Sequence, residues 1–286
     1  MRTVLSALLG LAAVLLLLGG VTATAVQRTV VDPDGFVALT APLASDDGMR
    51  DRLAGTVATE ATNRFDLQGP AADAVGEAID KVSTALTEDP AFPGAWETSM
   101  RRSHDRTMAT LTDAARTDVL QVDIQPLVSL LVDKAAGSLG ITAMASPVGD
   151  DPIVLDVGQS AQARAAAIVV QAAGYAPAAL AGAAVAAVLA LLLARRRTTT
   201  LAWLGIGVLA GTGLLALAGV LLRAAVAGGQ RAPGLTEYLR YRVVDAASAA
   251  GVPWVVGLAI WGAVLLAAGA VGRLVVGRPG AGSAQR

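Results

Sequence analysis

The chain contains no cysteine, which removes a whole group of cross-links and reactive sites from consideration. Disulfide frameworks, thiolate nucleophiles, iron–sulfur clusters and cysteine zinc sites all require that residue. Only one histidine is present, so a catalytic zinc site would need carboxylates for its other ligands. We therefore expect neither a metal nor a cofactor, and a domain without disulfides must rely on its apolar core.

Catalytic sequence motifs are also missing. No G-x-S-x-G, Walker loop or H-E-x-x-H occurs in the chain. Pairs of carboxylates for acid–base chemistry cannot be singled out among the many acidic residues. The sequence therefore favours a protein that is not an enzyme, although it leaves that question open.

Charge is missing from four long apolar stretches, each about as long as a bilayer span of ~20 residues. They cover residues 3–26, 176–194, 201–222 and 253–272. With 54% hydrophobic residues and a mean hydropathy of +0.58, they predict an integral membrane protein. Pro253 suits the first turn of the fourth helix, where its missing N–H costs nothing. No stretch has an ionisable residue in its interior, which disfavours a transporter or channel acting alone.

The arginines beside these stretches predict how the chain crosses the membrane. The triplet Arg195–Arg197 lies in a very short turn and should be cytoplasmic. Arg2 and Arg273 then lie on the same side. We expect a multi-pass protein of the plasma membrane with both termini in the cytoplasm and residues 27–172 outside it.

The first apolar stretch has a second interpretation as a cleaved signal peptide. Arg2, the apolar core and the A-x-A-like segment Ala23-Thr24-Ala25 fit that pattern. The core is longer than most signal-peptide cores, so we favour a retained span. The segment that follows is extracytoplasmic under either interpretation.

An acidic segment separates the first apolar stretch from the others. Residues 26–165 hold 21 acidic and 11 basic residues, whereas the remainder holds 2 and 11. Such a split is typical of a membrane protein with a soluble acidic domain. We expect no nucleic acid partner, because phosphates would be repelled.

Residue periodicity within this segment predicts mainly helices, with Asp46 as the N-cap of the first. Two alternating segments predict short strands that could pair. The helices are predicted at residues 47–64, 71–87, 92–114, 126–136 and 160–171, and the strands at residues 119–124 and 153–157. The predicted fold class is therefore an all-α membrane protein with about four transmembrane helices. It carries a mainly helical extracytoplasmic domain with a small two-stranded β element.

The connection between the third and fourth apolar stretches is unusually long. Within it, an apolar stripe marks a helix over residues 235–250, formed by Leu235, Tyr238, Leu239, Val243 and Ala246. Such a helix fits the membrane surface as well as the underside of the acidic domain. The sequence leaves both positions open.

Together these segments predict the following organisation. Residues 1–26 are transmembrane helix 1 or a signal peptide, 27–172 the acidic helical extracytoplasmic domain, 173–194 transmembrane helix 2, 195–200 a cytoplasmic turn, 201–222 transmembrane helix 3, 223–252 an outer loop with an amphipathic helix, 253–272 transmembrane helix 4 and 273–286 a cytoplasmic tail.

The single histidine, His104, lies on the apolar stripe of the predicted helix 92–114. We interpret it as a residue at the edge of the helical core, hydrogen-bonded to nearby backbone, with a ligand-binding or pH-sensing role as the alternative. Together with Trp96 and Arg102, it forms the set of candidate binding residues.

A family resemblance rests on two groups of residues: Phe92, Trp96, Arg102 and His104, and then Val122-Asp123-Ile124-Gln125-Pro126-Leu127. They resemble motifs in a group of uncharacterised integral membrane proteins from actinobacteria. That group has one N-terminal span, an outer domain with a tryptophan-to-histidine helix, a strand-to-helix step and three closing spans. Gln125 departs from the aliphatic residue usual at its position. The resemblance implies a fold and a location, and it supplies no activity.

Three functional hypotheses follow. We favour a membrane-anchored extracytoplasmic protein of the cell envelope that binds another envelope component, so its expected partners are the lipid bilayer and another membrane or envelope protein. The first alternative is an accessory subunit of a transporter or envelope-synthesis complex, docked through its spans. For that role Gly207 and Gly211 are the candidate helix-packing residues, because their spacing allows close approach of two helices. The second alternative is an outer-face hydrolase that uses unrecognised carboxylates.

Overall fold

The computed structural model of the protein describes residues 2–65, 85–86, 88–112, 121–139, 151–156, 160–231 and 234–276. The chain divides into two units. The span unit comprises Met1–Gln27, Gln171–Leu222 and Ala249–Arg286, and the acidic unit comprises Arg28–Val170 and Arg223–Ser248. All 23 acidic residues of the chain belong to the acidic unit, which gives that unit its name.

The described residues are mainly helical, and the predicted fold class is confirmed. The helices are α1 (Arg2–Val26), α2 (Pro33–Thr40), α3 (Asp47–Phe65), α4 (Phe92–Thr112), α5 (Gln125–Leu139), α6 (Ser160–Ala173), α7 (Ala176–Leu193), α8 (Arg197–Val226) and α9 (Leu235–Val276). Shorter helical turns cover Gln27–Val31, Ala41–Ser45 and Ala227–Arg231. Helices α1, α7, α8 and α9 are long and apolar enough to cross a membrane, which fits a multi-pass membrane protein.

In the span unit, α1 and α7 pack as an antiparallel pair. Near the start of α1, the Ser6 hydroxyl donates a hydrogen bond of 2.8 Å to the Ala190 carbonyl, near the end of α7. Near the end of α1, Gly20 lies against Leu180, near the start of α7, where an added Cβ would come within 2.8 Å of the leucine side chain. Small residues therefore permit the two helices to approach closely, as is common between membrane helices.

Helices α8 and α9 approach each other even more closely, backbone against backbone. A Cβ added at Gly205 would lie 2.5 Å from the Leu266 nitrogen and 2.7 Å from the Gly262 oxygen. A Cβ at Gly269 would lie 2.5 Å from the Ala202 nitrogen. These backbone atoms cannot move aside as a flexible side chain would, so both positions require glycine.

The core of the acidic unit is formed by α3, α4 and α5. Side chains spaced three or four residues apart lie on one face of a helix, which is the pattern by which each of these helices buries one side. The buried residues are Met49, Leu53 and Val57 of α3, Phe92, Trp96 and Met100 of α4, and Leu127, Val128 and Leu131 of α5. Beside them, β1 (Gln121–Asp123) and β2 (Val154–Asp156) form an antiparallel pair in which Val122 lies opposite Leu155.

The local predictions for this unit agree with the structure where it is described. Asp46 is the N-cap of α3, and its carboxylate accepts a hydrogen bond of 2.9 Å from the Met49 backbone N–H. The two short strands pair as the sequence suggested. The predicted helix over residues 71–87 lies outside the described residues, apart from Ala85 and Leu86.

The structure differs from the sequence-based organisation between the third and fourth spans. The predicted loop 223–252 does contain the predicted amphipathic helix, but this helix and the predicted separate span 253–272 form one continuous helix, α9, which begins at Leu235. Pro253 lies inside this helix and not at its first turn. A proline removes one backbone N–H from the helical ladder, which is tolerated in membrane helices. Residues Arg223–Ser248 belong to the acidic unit.

The structure also decides between the two positions left open for the apolar stripe 235–250. Tyr238 and Leu239 are buried in the same core cluster as Met49, Leu53 and Trp96, and Leu235 and Val243 pack against it. The first turns of α9 are therefore part of the acidic unit's core.

Candidate functional site

A buried polar cluster joins α4 to β1. The Ser99 hydroxyl donates a hydrogen bond to the Asp123 carbonyl, and the Ser103 hydroxyl accepts one of 2.8 Å from the Asp123 backbone N–H. Ser103 also donates to the Ser99 carbonyl at 2.6 Å. The three residues are almost fully buried. Because one turn of a helix separates the two serines, they bind both backbone groups of Asp123 from α4.

The Asp123 carboxylate completes this cluster. One oxygen accepts a hydrogen bond of 3.1 Å from the Gln125 backbone N–H at the start of α5. The other lies 3.3 Å from Nε of Arg106, whose side chain is 43% exposed. A buried carboxylate of this kind needs a cationic partner to offset its lost hydration. These bonds connect β1 with α4 and α5. The Asp123 side chain is fully buried and is not accessible to solvent.

Two of the three candidate binding residues, Trp96 and His104, are buried within the acidic unit. The Trp96 indole N–H donates a hydrogen bond of 3.1 Å to the Thr40 carbonyl. Nε2 of His104 lies 2.9 Å from the Val30 carbonyl, and its ring packs 5.1 Å from the Phe36 ring. His104 is thus a core histidine bonded to backbone, as the sequence indicated. Both side chains hold α4 against the segment that precedes α3.

The third candidate, Arg102, pairs within the same unit. Its guanidinium donates a hydrogen bond of 2.7 Å to the Gln125 side-chain oxygen. The Gln125 amide nitrogen in turn donates to the Ser129 hydroxyl at 3.1 Å. The glutamine that departs from the aliphatic residue of the resembling group therefore has a partner for each end of its amide.

A second cluster links α3 to α9, and we call it the Asp46 cluster. One Asp46 carboxylate oxygen accepts a hydrogen bond of 2.6 Å from the Tyr238 hydroxyl, and the other accepts one of 2.7 Å from Arg242. The Arg52 guanidinium lies over the Tyr238 ring, 4.2 Å from its centroid. Gly48 leaves space for the tyrosine, because a Cβ there would lie 2.5 Å from the hydroxyl oxygen. The sequence predicted Asp46 as an N-cap but did not predict its hydrogen bonds with Tyr238 and Arg242, which lie about 190 residues later in the chain.

A surface ion pair joins Asp89 to Lys134, whose charged atoms are 2.6 Å apart. The hydrogen bond from Lys134 is the main reason that the pKa of Asp89 lies below its ordinary value, and a hydrogen bond from the Ala91 N–H adds to it. In the same way, the hydrogen bond to Asp34 raises the pKa of Arg101.

The lowered pKa predicts how the stability of the acidic unit changes with pH. Because the folded protein favours ionised Asp89, its contribution is present above the unfolded pKa, about 4, and is lost as pH falls through the lower folded value. We expect Asp89→Asn to destabilise the unit at pH 7 and to have little effect at the acid end of the titration. Denaturant unfolding followed by Trp96 fluorescence would measure the difference, and an effect that persists unchanged in acid would contradict it.

The described part of the acidic unit includes a small cavity and an open groove. The first is an apolar cavity of about 10 Å³ between Met49, Trp96, Leu127 and Leu239, which has room for about one water molecule. The second is an open groove of about 750 Å³, which we call the α3 groove. It is lined by Asp51, Arg52, Gly55, Thr56, Thr59 and Glu60 of α3 and by Leu155 of β2. The groove is wide open to solvent, and five of its seven lining residues are polar or charged.

The candidate helix-packing glycines of the span unit lie against α1. A Cβ at Gly207 would be 3.1 Å from Val14, and one at Gly211 would overlap Leu18. Gly213 and Gly219 of the same helix have no atom within 4 Å of the corresponding position. Replacing Gly207 or Gly211 would therefore disturb the unit itself, and a test of docking through the spans should use Gly213 or Gly219.

The described residues contain no cluster of three or more histidine, aspartate or glutamate side chains that could hold a metal ion. The resemblance to the actinobacterial group stays a hypothesis. No family model, curated protein or solved structure matches the chain.

Proposed function

We propose that this protein is a multi-pass protein of the cell envelope whose acidic unit lies outside the cytoplasm and binds another envelope component. The observation that carries this proposal is the α3 groove. It is an open surface, lined mainly by polar and charged residues, in a unit whose candidate binding side chains serve internal packing. Asp51 and Glu60 in the lining favour a partner that offers hydrogen-bond donors.

The distribution of arginines supports the proposed orientation. The span unit holds seven arginines and no acidic residue. The antiparallel packing of α1 and α7 brings Arg2 and Arg195–Arg197 to the same end of the unit. Arginines beside short loops favour the cytoplasmic side, so that end is the cytoplasmic one in the proposed topology.

Single-cysteine labelling would test this orientation, since the chain has no other cysteine. Thr98 of α4 is exposed and suits an outer probe, whereas His104 is buried and does not. Thr199, next to the arginine triplet, serves as the inner probe. We expect an impermeant thiol reagent to label Thr98→Cys in intact cells and Thr199→Cys only after lysis. Labelling of Thr199→Cys in intact cells would overturn the proposed orientation.

The binding role itself can be tested by filling the groove. Gly55 faces open space, so Gly55→Trp should occupy the groove without a steric clash. Gly94 on α4 is equally open and is not part of the groove lining, so Gly94→Trp is the matched control. A photocrosslinker at Thr59 should yield a specific product in cells, and Gly55→Trp should abolish it while Gly94→Trp preserves it. Equal yields of the crosslinked product from Gly55→Trp and Gly94→Trp would show that the partner does not bind in the α3 groove.

Retention of α1 is part of the proposal. Ala13 and Val14 of α1 are buried in one cluster with Ala186, Leu204 and Val208 of the following spans. Cleavage after Ala25 would remove these contacts from the span unit. We therefore expect the intact mass of the protein purified from membranes to include residues 2–25. A mass corresponding to a chain that begins at Val26 would show that the first stretch is a signal peptide.

A further inference from the structure

Five exposed arginines lie at one end of the span unit. They are Arg2, Arg195, Arg196, Arg197 and Arg273. The turn between α7 and α8 carries three of them, the first residue of α1 carries the fourth, and the last turns of α9 carry the fifth.

Contacts within the span unit bring these positions together. The hydrogen bond between Ser6 and Ala190 places the start of α1 beside the end of α7. A Cβ at Gly272 would lie 2.7 Å from the Thr198 side chain, so the end of α9 adjoins the start of α8. Each arginine lies within five residues of one of these contacts, which is at most about 8 Å along a helix.

No carboxylate of the span unit balances this charge. The unit contains no aspartate or glutamate, and the described part of the chain records no ion pair for any of the five arginines. Like charges this close repel one another, most strongly beside an apolar medium. Anions supplied from outside the protein would relieve that repulsion.

We propose that this end of the span unit is a binding site for the headgroups of anionic phospholipids. The five arginines directly flank membrane-spanning helices, where a headgroup phosphate is the nearest abundant anion. Guanidinium groups match phosphate oxygens with paired hydrogen bonds, which an isolated ammonium cannot do as well. The proposal does not depend on the function of the acidic unit or on the side of the membrane that it faces.

The experiment titrates phosphatidylglycerol and phosphatidylcholine into the purified full chain in detergent, with bound lipids counted by native mass spectrometry. We expect phosphatidylglycerol to bind at least about tenfold more tightly. Each arginine near a membrane surface contributes about a fivefold factor, so Arg195→Gln with Arg196→Gln should weaken phosphatidylglycerol binding by about 25-fold. Raising the salt concentration to about 1 M should weaken binding to the unmodified protein, because exposed charges are screened.

The control is a charge-matched pair, Arg231→Gln with Arg240→Gln, in the acidic unit. Both arginines are exposed, and we expect less than a twofold change. Arg195→Lys with Arg196→Lys keeps the charge and loses only the paired hydrogen bonds, so it should bind phosphatidylglycerol more tightly than the glutamine pair, which separates loss of charge from loss of fold. Equal binding of the two lipids, or equal effects of the two glutamine pairs, would overturn the proposal. Displacement of the lipid by inorganic phosphate at equal concentration would show a site for a soluble anion and would overturn it as well.

Discussion

Gly205→Ala is expected to destabilise the span unit by about 1–3 kcal/mol, although alanine is the better helix former. The new Cβ would lie 2.5 Å from the Leu266 nitrogen and 2.7 Å from the Gly262 oxygen of α9. To avoid this clash, the backbones of α8 and α9 must move apart, which weakens the packing between the two helices on both sides of the contact. The same substitution at Gly269, which faces the Ala202 nitrogen at 2.5 Å, should have a comparable effect.

Gly213→Ala is the matched control on the same helix. No atom lies within 4 Å of its Cβ position, so it should be neutral or stabilising by up to about 1 kcal/mol. Three of the four tryptophans, Trp203, Trp254 and Trp261, belong to the span unit. In a Trp96→Phe background, their fluorescence reports unfolding of that unit in detergent. If Gly205→Ala and Gly213→Ala changed the free energy of unfolding in the same direction, the α8–α9 contact would be looser than the structure describes.

Asp46→Ala is expected to destabilise the acidic unit by about 2–4 kcal/mol. The substitution removes the N-cap of α3, typically worth about 1 kcal/mol, and a charge-assisted hydrogen bond worth about 1.5–3 kcal/mol. It also removes the nearer of the two carboxylates that pair with Arg242, whose side chain is only 29% exposed. Because Tyr238 and Arg242 lie in the first turns of α9, losing these bonds should weaken the packing of those turns against the core.

Asp47→Ala tests whether this effect is specific. Asp47 is the exposed first residue of α3, and removing its charge should cost well under 1 kcal/mol. Trp96 fluorescence, with the other three tryptophans replaced by phenylalanine, reports the acidic unit. Hydrogen exchange at Tyr238 and Leu239 should rise in Asp46→Ala and stay unchanged in Asp47→Ala. Similar losses of stability and similar exchange rates in Asp46→Ala and Asp47→Ala would contradict the role given to the Asp46 cluster.

The α3 groove and the Asp46 cluster could not be predicted from the sequence, for a common reason. Asp51, Gly55 and Thr59 share one exposed face of α3, but the sequence does not say which residues border that face. Leu155 borders it from a strand about 100 residues later. Asp46 likewise meets Tyr238 across 192 positions. Hydrophobic periodicity identifies a buried face and carries no information about its partner.

The sequence by itself determined the features that depend on local composition and spacing. The four apolar stretches, the N-cap at Asp46, the two short strands and the buried stripe of α4 all follow from segments of fewer than 30 residues. Only the tertiary structure decided that the stripe beginning at Leu235 enters the acidic unit's core and that α9 continues past Pro253. An amphipathic helix gains similar free energy from a bilayer surface or from a protein core, so only the shape and hydrogen bonds of its actual partner select between them.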